Sequence, residues 1–280
     1  MGALDDLPAL KNVIHDYGLA AKKTLGQNFL LDLNLTRKIA RVAKLSPDMN
    51  VIEVGPGPGG LTRALLEQDI KNLTAIERDD RCIKALQDVV TASDGRLDLK
   101  SGDALEIDVT AMTVPPRAVV ANLPYNIATP LLIGWLRQID DFVSLTLMFQ
   151  KEVALRITAV PSTKAFGRLS VISQWLCDCD IAFDVPASAF TPPPKITSSI
   201  VRFLPRRLES GQPRFETVEK ITGLAFQQRR KMLRQSLKTL VPDIKTLLAE
   251  ADIAETARAD ALPVASYIHL AKLYESLPES

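Results

Sequence analysis

Residues 51–62 read VIEVGPGPGGLT, a run of mostly β-branched residues followed at once by a glycine-rich turn. Gly55, Gly57 and Gly60 match the spacing G-x-G-x-x-G, and a segment of helical composition follows them. Such a strand–turn–helix unit lets a ligand approach the backbone closely and points helix N–H groups towards it. On its own the motif is a weak signal, since an ordinary tight strand-to-helix turn can also carry it. The stretch predicts the first unit of a parallel α/β sheet, and other residues must decide whether it binds a ligand.

Short apolar runs alternate with segments of helical length through the first two hundred residues. The predicted strands are 51–54, 73–77, 97–100, 118–121, 144–149 and 198–203. The helices predicted among them are 60–69, 80–91, 127–138 and 151–159. After a proline- and arginine-rich linker from about 205, the predicted elements are all helical, at 215–227, 231–241, 243–250 and 264–276. We therefore predict a parallel-sheet α/β domain over 1–204, with an N-terminal helical segment, and a small all-helical domain over 205–280.

The composition limits the classes of function. A chain of 280 residues with net charge +1 and 46% hydrophobic residues is typical of a soluble protein, and it contains no apolar run long enough to cross a membrane. Its three cysteines lack metal-binding spacing, so we expect reduced thiols and a cytoplasmic location. With two histidines in the whole chain, His-dependent hydrolysis and His-ligated metals are disfavoured, and we expect no metal site.

Carboxylates near the glycine turn bear on the choice of cofactor. Glu77 ends the next strand, where an acidic residue can bind the hydroxyls of a ribose. Pro56 and Pro58 remove two backbone amides that a pyrophosphate would use, and Glu53 places a negative charge just before the turn. A negatively lined pocket suits a sulfonium and repels a dinucleotide. These residues favour S-adenosylmethionine over NAD.

The segment SGDAL, at 101–105, follows the third predicted strand. Asp103 can accept a hydrogen bond from an adenine amino group, and Ala104 can offer its backbone N–H to the ring. The alternative for Asp103 is a helix N-cap or an Asx turn, which the residue alone would favour.

The segment VANLPYN, at 120–126, follows the fourth predicted strand, at the sheet edge where ligands bind in open α/β folds. The side-chain oxygen of Asn122 and the carbonyl of Leu123 can accept hydrogen bonds from both N–H groups of an exocyclic amine. Two such acceptors would point the lone pair of the nitrogen outwards. Pro124 fixes the backbone, and Tyr125 can stack on a base. The stretch therefore predicts a site for methylating adenine N6.

Nine ordered blocks of sequence carry a resemblance to a known family. They are KKTLGQNFLLD at 22–32, EVGPGPGGLT at 53–62, ERD at 77–79, GDAL at 102–105, NLPYNI at 122–127, QKEVALR at 150–156, FGRLSV at 166–171, FTPPPKITS at 190–198 and FQQRRKMLR at 226–234. On these blocks the chain resembles the ribosomal RNA small-subunit adenine N6-dimethyltransferase family.

The resemblance implies a Rossmann-like, S-adenosylmethionine-dependent enzyme with S-adenosylhomocysteine as product. The implied substrate is two adjacent adenines in a hairpin near the 3′ end of 16S ribosomal RNA, within an immature 30S particle, modified by a monomer. The implied cofactor contacts are Asn28, Leu30, Gly55, Gly57, Glu77, Asp103, Ala104 and Asn122. The implied catalytic set is Asn122, Leu123, Pro124 and Tyr125. Phe190 is expected to contact the flipped base opposite Tyr125.

Several of these residues have plainer alternatives. Asn28 could cap the helix that includes 36–43, and Phe190 could be a core aromatic. The basic cluster Arg229, Arg230, Lys231 and Arg234 would ordinarily be a solvated helix face. Beside an RNA enzyme we predict that it contacts phosphates, as Lys22 and Lys23 could at the rim.

The sequence motifs leave two other classes of function open. The first is a binding or assembly factor built on the same fold, against which the intact NLPY segment, Glu77 and Asp103 argue. The second is an NAD-dependent oxidoreductase, which lacks a catalytic Tyr-Lys or His set here. Erythromycin-resistance methylases share the fold and modify large-subunit RNA, but the C-terminal blocks favour the small subunit.

Overall fold

The structure is a computed structural model that describes residues 4–20 and 27–278. Within these residues the strands are β1 (Phe29–Leu30), β2 (Asn50–Val54), β3 (Asn72–Glu77), β4 (Leu97–Ser101), β5 (Arg117–Ala121), β6 (Ser144–Gln150), β7 (Cys177–Val185), β8 (Phe190–Thr191) and β9 (Ser198–Pro205). The helices are α1 (Leu10–Asp16), α2 (Leu33–Val42), α3 (Gly60–Leu66), α4 (Asp80–Ala85), α5 (Gln87–Ala92), α6 (Tyr125–Arg137), α7 (Lys151–Ile157), α8 (Arg168–Leu176), α9 (Phe215–Gln227), α10 (Leu233–Ser236), α11 (Ile244–Glu250) and α12 (Val264–Ser276).

Seven strands form one sheet in the order β4-β3-β2-β5-β6-β9-β7, while β1 and β8 form a separate two-stranded sheet. β2 pairs in parallel with both β3 and β5, and the parallel pairs β3–β4 and β5–β6 extend the sheet on either side. β9 then joins β6 in the antiparallel direction. The strand order reverses between β2 and β5, and ligands bind at such a switch point, beyond the carboxyl ends of the strands.

The predicted α/β fold with a parallel sheet is confirmed. Every residue of β2 is buried, as expected for a β-branched strand covered on both faces. β7 was not predicted, because its sequence CDCDIAFDV carries charge at alternate positions and looks too acidic for a strand. Asp180 of β7 bonds Arg202 of β9 at 3.0 Å, and such cross-strand ion pairs accommodate the acidic residues at the sheet edge.

By their contacts, the residues fall into two compact units. The first, here called the sheet unit, comprises Met1–Lys151 and Asp180–Pro205. The second, here called the helical unit, comprises Glu152–Cys179 and Arg206–Ser280. The sequence-based boundary after residue 204 lies beside the end of the sheet unit, but these contacts assign α8 and most of α7 to the helical unit.

In the helical unit, α8, α9 and α12 pack against one another. Phe226 of α9 contacts Phe166 edge-on at 6.1 Å between ring centroids and stacks with Tyr267 of α12 at 5.8 Å. The buried Tyr267 hydroxyl donates to the carbonyl of Ala259 at 2.5 Å. Helix α10 is shorter than the predicted 231–241, because Met232 pairs with Arg258 in an isolated β-bridge.

The N-terminal residues pack on the sheet unit. Leu10 and Val13 of α1 are buried, and the guanidinium of Arg63 donates to the carbonyl of Pro8 at 2.7 Å. A Cβ atom on Gly60 would lie 3.2 Å from the Leu10 side chain. No helix in the described part of the chain has the length and apolar character to span a membrane.

Candidate active site

The glycine turn after β2 forms the floor of a cleft in the sheet unit. Gly55 and Gly57 have φ values of 71° and 57°, in the left-handed region that disfavours other residues. A Cβ atom on Gly57 would lie 3.1 Å from the Phe29 ring, and one on Gly55 would lie 3.6 Å from Cδ of Pro124. The two glycines therefore allow β1 and the NLPY segment to approach the turn closely.

Glu77, at the end of β3, is 7% exposed and bonds the glycine turn. One carboxylate oxygen accepts from the Gly57 amide at 3.0 Å. The other accepts from the amides of Arg78 and Asp79, each at 2.8 Å. Burial raises the pKa of Glu77, and the three backbone donors oppose that rise. The carboxylate is held rigidly at the cleft, where the predicted ribose would lie.

Glu53 lines the same cleft from within β2. It is 1% exposed, and its Oε2 atom has no hydrogen-bond partner among the residues that the structure describes. Burial raises the pKa of Glu53 to about 8. A buried carboxyl group without a full set of partners is costly, and a cationic ligand group would relieve that cost.

Asp103 and Ala104 lie on the rim of the cleft, in the loop after β4. One oxygen of Asp103 accepts from the amide of Leu105 at 3.0 Å, and the other from the guanidinium of Arg78 at 2.8 Å. The Asx turn considered as the alternative for Asp103 is thus present, and it holds the residue at the cleft. The adenine contact stays a prediction. The contribution of Arg78 was missed, although it directly follows Glu77 in sequence.

Asn28 and Leu30 line the cleft from the N-terminal segment. The alternative that Asn28 caps α2 is wrong, because the cap is Asp32, whose side chain accepts from the amide of Asn34. The carbonyl of Asn28 instead lies 3.4 Å from Nδ2 of Asn122. This contact joins the N-terminal segment to the NLPY segment across 94 positions of sequence.

The NLPY segment connects β5 to α6. Leu123 is buried, Pro124 is the N-cap of α6, and Tyr125 is its first residue. The Tyr125 hydroxyl and the hydroxyl of the buried Ser198 are 2.6 Å apart, which fixes the ring. Burial raises the pKa of Tyr125, so its hydroxyl stays protonated.

The orientation of the Asn122 amide follows from its neighbour. A backbone carbonyl can only accept, so the Asn122 atom facing the Asn28 carbonyl must be the nitrogen. The side-chain oxygen is therefore directed elsewhere, and neither it nor the Leu123 carbonyl receives a hydrogen bond from any described residue. The cleft thus presents two neighbouring acceptors to which no described residue donates.

Comparisons with known proteins identify the family. A model of the family described as "Ribosomal RNA adenine dimethylase" matches residues 18–276. The chain is 53% identical over 272 residues to Ribosomal RNA small subunit methyltransferase A of Rhodospirillum rubrum, covering 97% of this chain and 94% of that protein. It is 54% identical over 282 residues to the protein of the same name from Xanthobacter autotrophicus, covering 99% and 97%. The chain belongs to the ribosomal RNA adenine dimethylase family.

Solved structures agree with this membership of the ribosomal RNA adenine dimethylases. A dimethyladenosine transferase from Plasmodium falciparum superposes with a TM-score of 0.70 at 25% identity, covering 85% of this chain and 94% of that one. The 23S rRNA methyltransferase ErmE superposes with a TM-score of 0.67 at 26% identity, covering 89% and 100%. The chain is a methyltransferase with the Rossmann-like fold of its family.

All eight predicted cofactor residues line the cleft of this dimethylase: Asn28, Leu30, Gly55, Gly57, Glu77, Asp103, Ala104 and Asn122. Their contact with the cofactor stays a prediction. Among the residues described here, no group of three or more His, Cys, Asp or Glu side chains is placed to hold a metal ion.

Phe190 packs in the sheet unit. It is 3% exposed, belongs to the main hydrophobic core and pairs with Leu30 through β8 and β1. This burial matches the alternative packing role, and contact of Phe190 with a flipped base stays a prediction.

The basic cluster of the helical unit separates into two kinds of residue. The guanidinium of Arg229 bonds the carbonyls of Thr163 and Lys164 at 2.8 and 2.5 Å and the carboxylate of Asp260 at 3.2 Å. These bonds inside the unit favour a structural role for Arg229 over the predicted contact with phosphates.

Arg234 likewise bonds Glu255, at 2.9 Å. Arg230 and Lys231 are exposed, and they are the two members of the cluster that stay candidates for RNA contact. Lys22 and Lys23, the other predicted rim residues, lie outside the described residues.

Proposed function

We propose that this chain uses S-adenosylmethionine to convert two adjacent adenines, in a hairpin near the 3′ end of 16S ribosomal RNA, into N6,N6-dimethyladenosine. Its substrate would be an immature 30S particle, and it would act as a cytoplasmic monomer. The choice of the small subunit is supported by relatives named for it at 53% and 54% identity, against 26% for the 23S rRNA methyltransferase ErmE.

The residues of the cleft fit S-adenosylmethionine. Its methionine end carries an ammonium group and a sulfonium, and the buried Glu53 has an oxygen that no described residue bonds and that suits a cation. Gly55 and Gly57 let the Phe29 ring and Pro124 approach the turn that forms the floor of the cleft. Glu77 and Asp103, at adjacent strand ends, would hold the ribose and the adenine. When bound, the cofactor supplies an electrophilic methyl group.

The observation that carries the proposal is the orientation of the Asn122 amide. With its nitrogen on the Asn28 carbonyl, Asn122 offers an oxygen, and Leu123 offers its carbonyl. The N6 amine of adenine is a poor nucleophile because its lone pair is delocalised into the ring. Hydrogen bonds from both of its N–H groups to these two oxygens would pull the nitrogen towards tetrahedral geometry and expose the lone pair.

The remaining residues of the segment hold the base in place. Pro124 restricts the backbone directly after the two acceptors. The Tyr125 ring, fixed through Ser198, provides a surface on which adenine can stack. A bound cofactor would supply its methyl group to the N6 lone pair, and the electrons of the C–S bond would leave with sulfur. The amine, now positively charged, loses one proton to water. Rate acceleration would come from positioning and electrostatics.

The product assay tests the proposed function directly. Purified protein is incubated with methyl-labelled S-adenosylmethionine and small subunits that lack the modification, and the RNA is digested to nucleosides. Labelled N6,N6-dimethyladenosine is the expected product. Large subunits are tested in parallel. Label in large subunits alone, or no dimethylated adenosine, would contradict the proposal.

Asn122→Ala tests the role of the amide oxygen. We expect the single-turnover rate at saturating cofactor to fall by about 10²-fold or more, as for removal of a preorganised transition-state contact. Cofactor affinity, measured by calorimetry, should change much less, because seven other predicted contacts remain. The matched control is Asn34→Ala, at an exposed position of α2. An unchanged single-turnover rate would rule out the acceptor role.

A further inference from the structure

The ion pair between Asp79 and Arg81, at the start of α4, is bonded to the part of the chain that precedes β1. Nη2 of Arg81 lies 2.6 Å from Oδ2 of Asp79, and Nε lies 3.0 Å from Oδ1. Nη1 of the same guanidinium donates to the carbonyls of Gly18 at 2.9 Å and Ala20 at 3.3 Å. One arginine therefore joins the N-terminal backbone to the strand end that carries Glu77.

The same ion pair bonds the N-terminal segment again at Gln27. The Nε2 atom of Gln27 donates to Oδ2 of Asp79 at 3.0 Å. The Asp79 side chain is 3% exposed and that of Arg81 is 28% exposed, so the contact is largely shielded from water. Hydrogen bonds from Arg81 hold the pKa of Asp79 well below its usual range, and the carboxylate remains an acceptor throughout the working pH range.

Gln27 precedes Asn28, whose carbonyl orients the catalytic amide. The contact from Nδ2 of Asn122 to that carbonyl is long, at 3.4 Å, and catalytic hydrogen bonds often tighten only in the complex. The two ends of an amide have nearly the same shape, so sterics alone would admit either orientation. A flipped Asn122 would present N–H groups to the N6 amine, donor against donor. Turnover therefore depends on where the Asn28 carbonyl is held.

We propose that Asp79 and Arg81 are positioning residues for methyl transfer. Through Gln27 they hold the Asn28 carbonyl where it keeps the oxygen of Asn122 facing the substrate amine. This inference rests on the proposed function of the cleft. It also links the two sides of the cofactor site, because the amide of Asp79 donates to Glu77 at 2.8 Å.

Reversing the hydrogen bond between Gln27 and Asp79 gives a sharp test. Gln27→Glu places a second carboxylate next to that of Asp79 and removes the hydrogen bond between the two side chains. In the Asp79→Asn background, the same substitution creates an acceptor for the new amide nitrogen, next to the charge of Arg81. We expect Gln27→Glu to lower the single-turnover rate roughly tenfold in the parent and to raise it in the Asp79→Asn background, since substitutions at residues in direct contact are not additive.

The measurements separate positioning from folding and from cofactor binding. The rate is measured at saturating cofactor as label transferred to RNA, together with the thermal midpoint and the cofactor affinity of each variant. Gln27→Met replaces the side chain by one of similar length that has no hydrogen-bond donor, and it should also lower the rate. This variant serves as the test if Gln27→Glu does not fold.

Three results would overturn the inference: an equal fall in both backgrounds, an unchanged rate in Gln27→Glu, or a change confined to cofactor affinity. Total label in RNA is counted irrespective of the nucleoside formed, so the pattern among variants can be read even if the product contradicts the proposed function. Failure of the proposed function would appear instead in the nucleosides made by the unmodified protein.

Discussion

Replacing the carboxyl group of Glu53 by an amide should remove a pH-dependent loss of stability from the sheet unit. Burial raises the pKa of Glu53 to about 8 from an ordinary value of 4.5. Over the pH range between these values, the cofactor-free folded protein keeps a proton that the unfolded chain releases. Unfolding free energy therefore falls as the pH rises across that range.

The sign and size follow from the two pKa values. Because the folded value is the higher one, the contribution is fully present below about pH 4.5 and is lost as the pH rises through about 8. One proton of difference is worth about 1.4 kcal/mol per pH unit. Between pH 6 and pH 8 the proton titrates partly, so the folded protein should lose about 2 kcal/mol of unfolding free energy. In Glu53→Gln this loss should be absent.

Urea unfolding at the two pH values measures the difference. The chain has two tryptophans, Trp135 in the sheet unit and Trp175 in the helical unit. In a Trp175→Phe background, fluorescence reports the sheet unit alone. Glu106→Gln, at an exposed position, controls for the loss of one carboxylate. If parent and Glu53→Gln lose the same stability between pH 6 and pH 8, the reasoning from burial is wrong.

Further predictions concern the RNA surface and the base platform. The double variant Arg230→Gln, Lys231→Gln should make the negative slope of log RNA affinity against log salt concentration shallower by about 1.5. Each lost phosphate contact accounts for ~0.7–0.9 of that slope. Arg229→Gln should leave that slope unchanged but lower the thermal midpoint, because it breaks the bonds to Asp260 and two carbonyls. In Tyr125→Phe the ring remains, so turnover should fall less than tenfold, while denaturant unfolding should show a loss of about 1 kcal/mol from the missing hydrogen bond.

The sequence predicted the sheet because its strands carry their own signal. β2 is a run of mostly β-branched residues between turns, and this composition indicates burial on both faces. β7 is acidic, and its pairing depends on arginines that lie more than twenty positions away, such as Arg202 for Asp180. Local patterns indicate a strand where burial stabilises it, and miss a strand that distant charges stabilise.

The candidate site shows the same division. Strand ends place Glu77 and Asp103 together, and the order of strands makes that placement predictable. Neighbouring residues of the basic cluster differ for a reason that the sequence does not contain. Arg229 bonds Asp260 and two loop carbonyls, whereas Arg230, the next residue, faces solvent. Both residues lie in the turn after α9, so tertiary partners, and not charge, decide which arginine is available.

The positions of the two histidines bear on how the substrate proton is removed. His15 is exposed on α1 and His269 lies on α12 in the helical unit, so neither lines the cleft. Of the three carboxylates that line the cleft, Glu77 accepts three backbone hydrogen bonds and Asp103 bonds Arg78, so neither is positioned as a free base. The third, Glu53, is the group that we assign to the ammonium of the cofactor.

A strong base at the cleft is also unnecessary. An amine that has just gained a methyl group and a positive charge is acidic enough to release its proton to water. Before that point the protein has to orient the amine. An oxygen that accepts hydrogen bonds from the N–H groups of the amine turns its lone pair outwards. Asn122 supplies such an oxygen without charge, and its orientation depends on the carbonyl of Asn28. The NLPY motif identifies the amide that accepts from the amine, but the Asn28 carbonyl determines which of its two ends faces the substrate.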